Sequence, residues 1–207
     1  MATTQPKPYT ITIEPGRLLT VEEFAALPPE PEGWRSELIE GRVIRMPPIL
    51  DPHHDQIIAN LVAALLPYVR AQRLGRVTLE QVGYDLTPAH AKNGPAVVPD
   101  LAFISRGRGQ LIQEARARKR YMRLAPDLAV EVVSPSQATP NEMEGRAQRW
   151  LQAGTRLVWN IWPEPERVDV WPADGEMHTL KAPALLNGGD VIPGFALPVA
   201  DLFVYDE

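Results

Sequence analysis

The chain contains no cysteine. That absence excludes a disulfide scaffold, a thiolate zinc site and a cysteine nucleophile, and it fits a reducing cytoplasm. Long apolar runs are missing too. The longest, IIANLVAALL at 57–66, is too short and too polar at its edges to span a bilayer, so no membrane partner is expected. The opening MATTQPKPYTITIEPG has no basic start followed by an apolar run and does not read as a secretion signal. No G-x-G-x-x-G follows a strand pattern and there is no phosphate-binding G-x-x-x-x-G-K-[ST]. Dinucleotide binding and nucleoside-triphosphate hydrolysis are therefore set aside. Excess positive charge is also absent: the formal net charge is −5, so bulk charge gives no attraction to a nucleic acid.

What remains is an ordinary folded composition. With 44% hydrophobic and 23% charged residues over 207 positions, the chain can bury one good-sized core and reads as one domain. Charge is unevenly spread. Between Arg106 and Arg123 lie seven basic residues, among them Arg116, Arg118, Lys119 and Arg120, against one acid, Glu114. A basic patch on an acidic body suits a phosphate backbone. The competing reading is a solvated helix face.

Punctuation divides the chain into elements. Thr20 and Glu23 form a T-x-x-E capping box before VEEFAAL, stopped by Pro28 and Pro29. ELIEGRVIRM reads as a hairpin turning at Glu40-Gly41. Asp51-Pro52 opens a helix whose apolar residues run from Ile57 to Val69 at helical spacing, with a kink expected at Pro67 and an end at Gly75. RVTLEQVGYDLT, VVPDLAFIS and DLAVEVVS then read as three strands. Thr139-Pro140-Asn141-Glu142 repeats the capping logic before a helix that ends at Gly154. RLVWNIW and RVDVW form a C-terminal hairpin, EMHTLKA an edge strand, and VIPGFALPVADLF an apolar tail. This order predicts an α/β fold with a mixed central sheet flanked by helices.

Two carboxylates sit where strands should be buried. In DLAVEVVS, Glu131 shares a face with Ala129 and Val133, and Asp100 shares one with Val98, Ala102 and Ile104. Burying an unpaired charge costs several kcal/mol (roughly 3–5), so each needs a cation or an open cavity. Paired on adjacent strands, the two would suit a hard divalent cation. The competing reading for Asp100, and for Asp127, is a local bond to backbone N–H groups after a proline.

The order SELIEGRVIRM, H-x-x-I-x-x-N-L at 54–61, VVPDLAFIS, PDLAVEVVSPS, RWLQAGTRLVW and IPGF resembles the Uma-type family of restriction endonucleases, a branch of the PD-(D/E)XK nucleases. The resemblance covers roughly residues 18 to 205 and leaves 1–17 as an N-terminal extension to a single domain, 18–207. It implies a restriction-endonuclease-like fold and a Mg²⁺- or Mn²⁺-dependent DNA endonuclease. Asp100 matches the PD aspartate and Glu131 the following acidic position; the Val132 carbonyl would be a further ligand. Glu37 matches an N-terminal glutamate directed at the metal, and His54 a peripheral histidine on the first long helix. The expected lysine two residues after the glutamate is Val133 here, and the helical position that replaces it holds Arg146. An arginine stabilises phosphate charge but cannot act as a general base. The competing reading for Arg146 is an i, i+4 pair with Glu142.

Two other readings stay open. One is a nuclease-like fold that has lost catalysis and binds DNA or a partner protein. The other is a homodimer that uses Trp159, Trp162 and Trp171 as its interface.

Overall fold

The computed structural model describes residues 16–49, 51–108, 121–134 and 138–205. Helix α1 (Val21–Ala25) has Thr20 as its N-cap, with the reciprocal Glu23 bond in place. Strands β1 (Arg35–Ile39) and β2 (Arg42–Met46) form the expected hairpin. Its turn takes φ of 50° at Glu40 and 77° at Gly41, the left-handed pair that matches strand twist. A Cβ at Gly41 would also meet that of Leu18 at 2.8 Å.

Helix α2 (Pro52–Ala71) is capped by Asp51, which accepts from the His53 amide, and it continues through Pro67. It ends at Ala71, not Gly75: the chain reverses at Arg73 (φ 54°), and Gly75 already opens β3 (Gly75–Leu79). Two stretches expected as single strands are each two. RVTLEQVGYDLT divides into β3 and β4 (Gly83–Asp85), and VVPDLAFIS into β5 (Ala96–Val97) and β6 (Leu101–Ser105). In both cases the chain passes from one sheet to another. Pro99 has no N–H to donate to a ladder, which favours the second break. The passage leaves Asp100 at the junction of the two sheets.

The remaining elements are β7 (Tyr121–Met122), β8 (Leu128–Val132), α3 (Pro140–Gln152), β9 (Leu157–Trp162), β10 (Arg167–Pro172), β11 (His178–Leu180), β12 (Leu185–Gly188) and β13 (Ile192–Pro198). A six-stranded sheet runs β11-β10-β9-β8-β6-β3 and a five-stranded one β2-β1-β5-β4-β7. In the larger sheet β8 and β9 are parallel, joined through α3, and the other pairs are antiparallel. The sheet is therefore mixed, as expected, and β11 is its edge.

Helices cover both faces. Ile57, Leu61, Leu65 and Val69 of α2 pack with Leu128, Val130 and Val132 of β8. Each such side chain contributes about 1.5–3 kcal/mol when fully buried. On the opposite face, Ala147 and Trp150 of α3 pack with Ala129 and Val158, and Met143 packs with Val133 and Trp162. Trp159 and Trp162 are thus core residues of this chain and are not free to form an interface between copies. Among the described residues, no helix is long and apolar enough to cross a membrane.

Candidate active site

Glu131 lies on the α3 face of β8, 4% exposed, beside Ala129 and Val133. Its position follows from strand alternation alone. Asp100 directly precedes β6, the neighbour of β8, and its Oδ2 accepts from the Val132 amide at 2.7 Å. That bond ties the aspartate to the residue following Glu131. Both carboxylates and Val132 line one cavity of ≈ 640 Å³, together with Glu37, Arg35 and Arg146. The two acidic side chains expected to converge do so.

Arg146 sits in the middle of α3, where the capping box fixes the helix register. Its guanidinium forks onto Glu37, with Nη1 donating to Oε2 at 2.7 Å and Nη2 to Oε1 at 2.8 Å. Nη2 also donates to the Val98 carbonyl at 3.1 Å, and Nε lies 2.7 Å from Glu131 Oε1. Arg146 therefore joins two buried carboxylates across the cavity. The i, i+4 pair with Glu142 does not form; Glu142 is occupied as the capping partner of Thr139.

Glu37 has both oxygens engaged. Besides the Arg146 fork, its Oε1 accepts from the Val98 amide at 3.0 Å. It faces the site, as the family resemblance implies and against the solvent-facing position that its hairpin strand alone suggests, but it anchors the arginine. His54, in the first turn of α2, is buried and has Nε2 3.5 Å from Asp100 Oδ2. Its other nitrogen is 3.3 Å from Asp55. Among the described residues, His54 Nε2 has no hydrogen bond of good geometry.

The charges explain the titration behaviour. Burial pushes the Glu131 carboxyl up to about 7; Arg146 opposes the shift, and Asp100 and Glu37 add to it. For Asp100, burial acts in the same upward direction, but His54, the Val132 amide and Arg35 outweigh it and hold its pKa below the usual carboxylate value. Burial lowers the pKa of His54, yet Asp100 and Asp55 outweigh it and leave the ring more basic than usual. Burial also opposes charge on Arg146, but Glu131 and Glu37 keep it firmly cationic. The result is a split pair: one carboxylate held ionised and one that titrates near neutrality.

Two participants were not read from the sequence. Trp150 donates its indole N–H to Glu131 Oε1 at 2.8 Å. Arg35 places Nη1 3.5 Å from Asp100 Oδ1. Both had a signal. Trp150 is four residues after Arg146 on one helix face, and Arg35 is two before Glu37 on one strand face. The residues Arg116, Arg118, Lys119 and Arg120 lie outside the described residues. Of the same basic run, Arg108 is engaged internally, donating to the Ala125 carbonyl at 2.6 Å and lying 3.3 Å from Asp127.

A mixed sheet between helices, with two carboxylates at the ends of adjacent strands and a cation facing them, defines a restriction-endonuclease-like protein. The chain belongs to the Uma2 family, whose model carries the description "Putative restriction endonuclease" and matches residues 21–200. It is also similar to a chain from Anabaena variabilis whose crystal structure is titled as that of "a putative nuclease belonging to DUF820". The TM-score is 0.71 at 26% identity, over 89% of this chain and 97% of that one. No curated protein matches the chain. Family and neighbour together make a nuclease-like function the starting point for the site.

Proposed function

We propose that the protein is a divalent-metal-dependent DNA endonuclease that hydrolyses phosphodiester bonds at the Asp100–Glu131 cavity. The observation that carries this reading is the convergence of two carboxylates, Asp100 immediately before β6 and Glu131 on the neighbouring β8, upon a single cavity with a guanidinium on its wall.

The donor set fits Mg²⁺ or Mn²⁺. Asp100, Glu131 and the Val132 carbonyl offer oxygen only, and hard cations of this kind keep several waters. Among the described residues no cluster of three or more His, Cys, Asp or Glu side chains could enclose an ion. The cavity is also short of positive charge, since Glu131 is driven toward its neutral form by burial and by two acidic neighbours despite Arg146. A bound divalent ion would supply Lewis acidity and a water of lowered pKa.

The chain's own residues do the remaining work. Arg146 places a fixed positive charge beside the developing phosphate charge; Glu37, the Val98 carbonyl and Glu131 face four of its five N–H groups, which leaves one Nη1 N–H for the phosphate. Asp100 is kept ionised and oriented by the Val132 amide, with Arg35 and His54 positioning it. Trp150 orients Glu131. The test is nicking of supercoiled plasmid with Mn²⁺ against an EDTA control. Metal-dependent nicking that disappears in Glu131→Ala is the expected result. No nicking, or nicking unchanged in that variant, refutes the proposal.

One observation favours a second reading, a nuclease fold that binds DNA without cutting it. Arg146 stands where a lysine is expected and cannot deprotonate water. On this reading the protein binds DNA in a salt-sensitive way, and Arg146→Lys creates metal-dependent nicking in a protein that otherwise has none.

A further inference from the structure

Helix α3 carries a second arginine, Arg149, three residues beyond Arg146. Residues at that spacing are neighbours on a helix, with Cβ atoms about 5–6 Å apart. Arg149 opens not into the carboxylate cavity but into another of ≈ 640 Å³, walled by the chain after β4 (Leu86, Thr87), by Arg123 and Leu124, and by the last turn of α3. Arg149 is half-buried, and burial together with Arg146 disfavours its charge. Its guanidinium nevertheless has no hydrogen bond or close ion pair among the described residues. Neither has the side chain of Arg123, which is exposed on the same wall. Asp85, the carboxylate on this wall, accepts from the Thr87 amide through Oδ1.

Two arginines thus line the cavity with no hydrogen-bond partner among the described residues. A cation drawn partly out of water is expected to have a counter-charge, and for Arg149 none is in contact among the described residues. The number of donors exceeds what one carboxylate takes up and suits a tetrahedral oxyanion. Arg146 lines the carboxylate cavity and Arg149, three residues on in the same helix, lines this one, so the two adjoin. We infer that Arg149 and Arg123 form a phosphate-binding site that holds a nucleic-acid strand next to the phosphate at the Asp100–Glu131 cavity. The identity of the ligand as a nucleic-acid strand rests on the nuclease reading; the preference for phosphate does not.

Binding is measured without metal, in EDTA, by fluorescence anisotropy of a labelled oligodeoxythymidine at several salt concentrations. Arg149→Gln and Arg123→Gln are each expected to weaken binding about tenfold, the scale of one charge-assisted hydrogen bond. Each should also flatten the slope of log affinity against log salt by about 0.7. Arg149→Lys should keep most of the slope. Arg123 is exposed, so its variant tests the site even if Arg149→Gln impairs folding. In a second arm, inorganic phosphate is added during thermal unfolding. Protection of the wild type that Arg149→Gln abolishes, with oligonucleotide binding untouched in both variants, overturns the strand assignment in favour of free phosphate. Equal affinity and slope in all variants, with no phosphate protection, overturns the site. Equal loss for an anionic polyglutamate probe overturns the phosphate preference. Failure of the nuclease reading is seen separately, as absence of nicking in a protein whose oligonucleotide binding still depends on Arg149 and Arg123.

Discussion

Glu131→Gln should stabilise the metal-free protein at alkaline pH relative to acid pH, and the size of the effect follows from the site. The Glu131 carboxyl is raised from an ordinary value of 4.5 to about 7. The fold therefore favours its protonated form. That contribution is fully present below about pH 4.5 and is lost as pH rises through 7, because the ionised carboxylate is then tolerated better by the unfolded chain. At about 1.4 kcal/mol per unit, the wild type loses about 3 kcal/mol across this window. Glutamine does not titrate. The Arg146 pair is already contained in the Glu131 shift, so the change in the stability difference with pH follows the wild-type titration alone. Urea unfolding of both proteins in EDTA at pH 4 and pH 8 gives the comparison. The stability difference should move by about 3 kcal/mol in favour of the variant between the two. A movement smaller than one unit's worth, about 1.4 kcal/mol, would refute the claim that burial and neighbouring acids keep Glu131 short of positive charge. Adding Mn²⁺ at pH 8 should then stabilise the wild type and leave Glu131→Gln unmoved, by linkage to binding.

Glu37→Gln breaks the buried fork to Arg146; because Arg146 keeps Glu131 and the Val98 carbonyl, urea unfolding should show a loss of about 3 kcal/mol, the low end for a broken buried pair. Trp150→Phe removes the indole bond to Glu131 and should cost about 1–3 kcal/mol in the same assay, with the pH dependence of stability shifted further toward alkaline pH. Thr139→Ala removes the side-chain half of the α3 capping box and should lower stability by about 1 kcal/mol, with any Mn²⁺-dependent nicking retained.

The candidate site was legible in the sequence to the extent that strand alternation decides it. Asp100 and Glu131 stand out because a period-two pattern places them among alanine and valine, and no partner on their own strands is visible to explain them. The capping boxes at Thr20 and Thr139 were equally plain, since their chemistry is local. What the sequence concealed depends on distance. The two apparent strands RVTLEQVGYDLT and VVPDLAFIS each cross between sheets, and no local signal except Pro99 marks where. Pro67 does not end α2: the helix is held on the sheet by four buried aliphatic side chains, and packing of that size outweighs one lost hydrogen bond. The tryptophans of β9 attracted an interface reading because pattern alone cannot tell a covered face from an exposed one.

The arginine at 146, where the family resemblance implies a lysine, and the engagement of Glu37 are parts of a single arrangement. A lysine ammonium is a point charge and binds one carboxylate oxygen well at a time, leaving the rest of a second carboxylate available to other partners. The guanidinium of Arg146 instead spends two N–H donors on Glu37 in a planar fork and turns its third nitrogen to Glu131. Glu37 in turn has its Oε1 shared with the Val98 amide, which lies just before the Pro99 break that frees Asp100. The fork therefore links β1, the β5–β6 passage, β8 and α3 through one side chain. It follows that Arg146→Lys changes more than a proton donor: it releases Glu37 toward the cavity and loosens the junction that positions Asp100. Any nicking gained by that variant should be accompanied by a fall in stability, whereas a gain with no such fall would mean that the fork does not hold the site together.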